Sequence, residues 1–153
     1  MAEKVWAMIK YPRIWIAAHG GPAKAAQFEN TPPAILRLLA DITDELDSGY
    51  ASSSNAQIRK HIAENPNTPT DLLRRLAHRA HWEVRAAVAR NPNTPEDVLL
   101  QKCRDGNDLV RFAIIQNPNV TDRVLRVLVE DKEYDRIRTQ ARRAIAEREG
   151  RRD

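Results

Sequence analysis

The chain has 153 residues, enough for one domain with a sizeable core, and its 42% hydrophobic and 30% charged residues are the balance of a globular chain. Its net charge of +4 permits an acidic partner without demanding one, and its single cysteine excludes a disulfide framework or a Cys-rich metal or iron–sulfur site. The longest wholly apolar run, Ile14-Trp15-Ile16-Ala17-Ala18, is too short to span a membrane. The start also lacks a secretory pattern, so a reducing cytoplasm is the expected setting.

The leading segment, 1–24, concentrates Val5, Trp6, Ile9, Ile14, Trp15 and Ile16, and it closes with a break at Gly20-Gly21-Pro22. It reads as a cap over the open end of the first repeat unit. Trp6 and Trp15 are also candidate partner-binding residues, because exposed aromatic anchors are typical of interface hot spots.

From residue 25 the chain repeats. Ile58 to Pro69 reads IRKHIAENPNTP, Val84 to Pro95 reads VRAAVARNPNTP, and Val110 to Thr121 reads VRFAIIQNPNVT, a step of 26 residues. A degraded leading copy begins at Ala25, and a closing half-copy, ARRAIAER, runs from Ala141 to Arg148 with five extra residues before it. The solenoid is therefore expected over 25–148, with a flexible tail at 149–153.

Each unit resolves into two short helices. Ile58, Val84 and Val110, with Ile62, Val88 and Ile114 four residues on, share one face of the first. Pro66, Pro92 and Pro118 disfavour helical geometry at the preceding asparagines, so the first helix ends there. Thr68 and Thr94 then offer an N-cap hydroxyl, Pro69 and Pro95 the first helical position, and the acids just beyond them favour the helix start. The last unit has Val120 and Thr121 instead, so its cap must shift or weaken.

The second helix carries the columns Leu36, Leu73, Leu99, Leu125 and Leu39, Leu76, Lys102, Leu128. Cys103 falls in the small apolar column of Ala40, Ala77 and Val129, where a free thiol packs as a hydrophobe. Lys102, among leucines, is expected to lay its stem along the core edge with the amine in water.

An insertion within 41–55, DITDELDSGYASSSN, separates the leading unit from the first clear one. Its acidic part extends a helix, and its Gly/Ser part reads as a loop.

The valine-arginine pair, Asn-Pro-Asn-Thr-Pro, an acidic residue and a leucine cluster resemble the leucine-rich repeat variant (LRV) family of bacterial proteins over roughly Ala25 to Ala146. The resemblance implies an all-α, right-handed superhelical solenoid of short helix pairs, one α and one of 3₁₀ type. Founding members of that family also carry a cysteine-rich iron–sulfur segment. With one cysteine in a packing column, this chain inherits no redox role, and no cofactor or metal is expected.

The most regular polar column is Arg59, Arg85, Arg111, with Arg138 and Arg142 as candidates for its continuation. Arginine early in a helix opposes the macrodipole, so its recurrence calls for a compensating partner. Either each guanidinium forks onto a carboxylate or carbonyl of the adjacent unit, with Glu83, Asp108 and Asp135 as nearby acids, or the row faces a phosphate backbone or an acidic protein segment.

Enzymatic chemistry finds little footing. His78 and His81 lack a third ligand, no Gly-rich phosphate loop is present, and no Ser, His and Asp grouping stands out. Helical-repeat DNA glycosylases are similar in being basic solenoids that use Trp, Asp and Arg, which singles out Trp82, but only by analogy of fold. The expected function is a non-catalytic scaffold binding another protein. Nucleic-acid binding along Arg59, Arg85 and Arg111 is the alternative.

Overall fold

The computed structural model describes residues 12–46, 53–79 and 81–151, without the side chains of Ile14 and Trp15. Ten helices follow one another among these residues. They are α1 (Pro12–Ala18), α2 (Pro22–Gln27), α3 (Pro33–Leu46), α4 (Ser53–Glu64), α5 (Thr70–Leu76), α6 (Trp82–Arg90), α7 (Glu96–Lys102), α8 (Asp108–Ile115), α9 (Asp122–Val129) and α10 (Asp135–Glu149). Four units pair as α2/α3, α4/α5, α6/α7 and α8/α9, and α10 closes the stack. Gly20 and Gly21 both have positive φ (80° and 94°), a conformation that favours glycine at the break before α2.

First helices pack directly on one another along the stack, α2 on α4, α4 on α6 and α6 on α8. Alanines make this close approach feasible: Ala26, Ala63, Ala86, Ala87, Ala89 and Ala113 are all buried. The second helices contribute Leu36, Leu73, Leu99 and Leu125, all buried, and Cys103 lies buried in its predicted column. The helix α6 gives Val84, Ala87 and Val88 to the core on one side, and Ala86 and Ala89 to the core on the other. The interior is thus a row of small cores shared by neighbours, as expected of a helical-repeat solenoid.

The corner between helices does more than stop one and start the next. Asn65, Asn91 and Asn117 are buried, and each turns its side-chain amide onto the preceding unit. Asn91 Nδ2 donates to the carbonyls of Ala63 (2.7 Å) and Asn65 (2.9 Å). Asn117 Nδ2 donates to those of Ala89 (2.8 Å) and Asn91 (2.7 Å), and Asn65 Nδ2 to those of Ala26 and Phe28. The Oδ1 of each accepts the backbone N–H two residues on, at Asn67, Asn93 and Asn119. The alanine carbonyl that each helix end leaves unsatisfied is taken by the next unit, which also adds a second donor to the carbonyl two residues on, already bonded to the N–H of Thr31, Thr68 or Thr94. In the leading unit Phe28 replaces this asparagine and is exposed, and among the described residues no repeat unit precedes α2 for an amide to reach.

Four local expectations are corrected. Thr68 and Thr94 do not cap the second helices; their hydroxyls donate backward to the carbonyls of Ile62 and Val88, as Thr31 does to Ala25. Pro69 and Pro95 are the N-cap residues instead, and the cap does shift in the last unit, where Thr121 Oγ1 accepts from Val124 N. The second helices are α rather than 3₁₀, with Leu73, Leu99 and Leu125 N–H bonded four residues back to Pro69, Pro95 and Thr121. Ser53 to Asn55 belong to α4 rather than to a loop, while 47–52 lie outside the described residues.

The closing unit also starts earlier than its sequence match. Ile137 and Ala141 are the buried pair equivalent to Val110 and Ile114, so only one residue is added to the period. Without an Asn-Pro corner, α10 runs on to Glu149, and Arg148 Nη1 reaches the Val120 carbonyl (2.7 Å) and Asp122 Oδ1 (3.0 Å).

Replacing Asn91 by Ala leaves the Ala63 carbonyl and the Asn93 N–H without partners and the Asn65 carbonyl with only the Thr68 N–H, and should cost about 2–4 kcal/mol in urea unfolding. Asn91→Asp should do no better, since a carboxylate cannot donate. Asn93→Ala, at the exposed end of the same corner, should cost no more than about 1 kcal/mol.

Candidate functional site

The arginine column sits at the fourth residue of its helices: Arg85 in α6, Arg111 in α8 and Arg138 in α10. Arg138, not Arg142, therefore continues the row. Two of the sequence candidates are largely enclosed, Arg59 at 2% exposure and Arg111 at 5%.

Their partners come from the corners between units. Arg85 forks onto Asp105, Nε to Oδ2 at 2.7 Å and Nη2 to Oδ1 at 2.9 Å, and its Nη1 donates to the Arg79 carbonyl at 2.9 Å. Arg111 repeats the arrangement one unit on: Nε lies 3.1 Å from Asp131 Oδ2, Nη2 donates to Glu133 Oε2 (2.8 Å), and Nη1 donates to the Asp105 carbonyl (2.9 Å). Arg138 Nη1 takes the Asp131 carbonyl (2.7 Å), and its Nη2 takes Asp135 (3.0 Å). Each corner aspartate thus holds the preceding arginine by its carboxylate and the following one by its carbonyl. The result is a continuous ladder of charge-assisted hydrogen bonds and ion pairs, Arg85–Asp105–Arg111–Asp131–Arg138, in which the Arg111–Asp131 link is an ion pair without a hydrogen bond from Nε.

Of the three acids expected beside the row, Asp135 meets Arg138. Glu83 and Asp108 give way to Asp105 and Asp131, which lie 20 residues beyond their arginines. In the first clear unit the corner residue is Arg79, which cannot serve Arg59. Arg59 instead donates to the Thr43 carbonyl (2.7 Å) and Asp44 Oδ1 (2.9 Å), and Arg79 also binds Asp44. Asp44 lies in the stretch of α3 that the insertion lengthens, so the insertion supplies the carboxylate that the repeat lacks there.

Burial raises the Asp105 pKa, but the Arg85 hydrogen bonds, the Asn107 N–H and the charges of Arg85 and Lys102 outweigh it and hold the carboxyl below its ordinary value. Lys102, expected to keep its amine in water, is buried at 8% exposure, and that burial lowers its pKa against the pull of Asp105. Burial also pushes the Cys103 thiol up to about 12, which leaves it a thiol and unreactive.

The remaining candidates do not join this network. Trp6 lies outside the described residues, as does the side chain of Trp15. Trp82 opens α6, partly exposed at 37%. His78 is exposed, His81 is half-buried, and no group of His, Cys, Asp and Glu is placed to hold a metal among the described residues. No described helix is long and apolar enough to cross a membrane.

Residues 82–106, which run from α6 through its corner and α7 to the next turn, match the family model for the leucine rich repeat variant. This is an LRV repeat region. No curated protein and no solved structure matches the chain. The matched unit is the one whose arginine, Arg85, and corner acid, Asp105, form the complete fork.

Arg111→Met removes the charge opposite a buried Asp131 and should cost about 3–5 kcal/mol in thermal or urea unfolding. Because Asp105 titrates lower when folded, its contribution is full above the free-aspartate value of about 3.9 and is lost as pH falls through the depressed folded value. Asp105→Asn should therefore lower stability at neutral pH and flatten the acid limb of the stability curve below about pH 4.

Proposed function

We propose that the LRV region is a non-catalytic scaffold that binds another protein in a cytoplasm, a bacterial one by the family resemblance. The observation that carries this reading is the orientation of the arginine row. Arg59, Arg85 and Arg111 form hydrogen bonds to carboxylates and carbonyls of neighbouring units, which supports a structural role for them and leaves recognition to other surfaces. Those surfaces are solvated helix faces with exposed aromatic residues, among them Trp82 and Tyr134, the kind of side chain that anchors protein interfaces.

Segment 1–24 is proposed to cap the first unit, a reading supported by Ile16, which joins the core of α2 and α3. The solenoid proper is proposed to span 25–148, with the tail at 149–153.

The alternative, a row of guanidiniums on a phosphate backbone, would need Arg59 and Arg111 to leave buried carboxylate and carbonyl partners. A protein captured by the purified chain from native-host lysate should persist after nuclease treatment and in raised salt. Affinity for duplex DNA, if any is measured, should have a salt slope that Arg85→Ala and Arg111→Ala leave unchanged, because neither residue would neutralise phosphates. A partner that vanishes with nuclease, together with a slope that falls by about one phosphate per arginine, would move the reading to nucleic acid.

A further inference from the structure

Between α2 and α4 the stack opens into a half-enclosed cavity of about 210 Å³, lined by Gln27, Glu29, His61, Glu64, Asn65 and Pro66. That is the room of about seven waters at roughly 30 Å³ each, enough for the head and stem of one long side chain. The lining departs from the repeat at two positions. His61 stands where the later first helices have the buried Ala87 and Ala113, and it is half-buried, with Nε2 2.8 Å from Gln27 Nε2 and Nδ1 3.3 Å from Glu64 Oε2. Glu29 stands where the later corners have Pro66, Pro92 and Pro118.

The column that crosses this interface reads Gln27, Glu64, Arg90, Gln116 along the units. Between α6 and α8 the chain bridges it with a cation, Arg90 Nε donating to Gln116 Oε1 at 3.0 Å. Between α2 and α4 the same two positions hold an amide and a carboxylate, with no cation joining them. Among the described residues none is placed on the Glu29 carboxylate either, and Glu64 has only Lys60 Nζ at 3.7 Å and the His61 imidazole. An opening with two carboxylates and the ring of Pro66 in its wall is complementary to a positive head on an apolar stem.

We infer that this cavity receives an arginine side chain of the partner protein. A guanidinium presents its N–H donors in a planar fork, which suits carboxylates on two residues and an amide oxygen. The solenoid itself places one in the same column at Arg90. An ammonium is a compact and more strongly hydrated point charge, so arginine is favoured over lysine. Glu29 and Glu64 repel an anion, which sets this site apart from a phosphate contact. The inference rests on the protein-binding reading above and names the chemistry of one contact within it.

The test follows the side-chain NMR signals of Gln27 and His61 in the full chain as N-acetyl-arginine amide is added. The citrulline analogue, similar in shape but uncharged, serves as the control. Saturable shifts are expected with the arginine probe and none with citrulline. Glu29→Gln and Glu64→Gln should each weaken binding about threefold, and the two together about tenfold. Both residues are exposed, so the circular dichroism and melting of the variants should match the parent. Absence of saturable shifts up to roughly 50 mM probe, equal shifts with citrulline, or binding indifferent to both substitutions overturns the inference. A nuclease-resistant protein partner whose capture survives E29Q and E64Q together would also overturn it while leaving the scaffold reading intact. Arginine binding with no protein partner captured would uphold the guanidinium site and count against the scaffold reading alone.

Discussion

A helix that ends at an Asn-Pro corner leaves carbonyls with no amide above them, and in a stack of short helices most of those carbonyls are buried. The asparagine amide of the following unit takes the one at Ala63 and shares the one at Asn65 with the Thr68 N–H, while its own oxygen accepts from the corner backbone. The rest of the architecture depends on that one side chain. Units are set at a fixed spacing because the amide has a fixed reach, and first helices must be alanine-rich because that spacing is small. Helices of six to nine residues, too short to persist alone, become stable as members of a row.

The arginine chain is the same solution at the opposite corner. There the side chain is long and charged, and each buried guanidinium is matched by a carboxylate and a carbonyl of the inter-unit turn. Where the turn lacks its acid, at Arg79, the neighbouring unit supplies Asp44 from a lengthened α3. Such pairs are costly to desolvate and add more to the choice of one stacking arrangement than to net stability. They also bear on function, since a charge already bound within the stack is a poor candidate for recognition outside it.

The period, the helix pairs and the leucine columns are legible in the sequence because each depends on spacing alone. Cys103 can be placed by its column siblings for the same reason. The role of Asn91 is hidden, since Asn-Pro reads first as a helix stop and its amide acquires meaning only against carbonyls 26 and 28 residues earlier. Asp105 is less visible than Glu83 because adjacency in sequence is a poor guide to what a corner brings beside a helix. The closing unit misleads through composition: ARRAIAER matches the repeat, but the burial of Ile137 sets the true register.

The central claim is that the arginine row faces the interior of the stack, and the most direct measurement is the rate of guanidinium modification by an α-dicarbonyl reagent, followed residue by residue by mass spectrometry on the folded chain. Arg104, Arg123 and Arg126 should react early, and Arg59 and Arg111 only under conditions that unfold the protein. Modification of Arg59 and Arg111 at the rate of Arg126, with the chain still folded, would contradict the account and return the row to the surface.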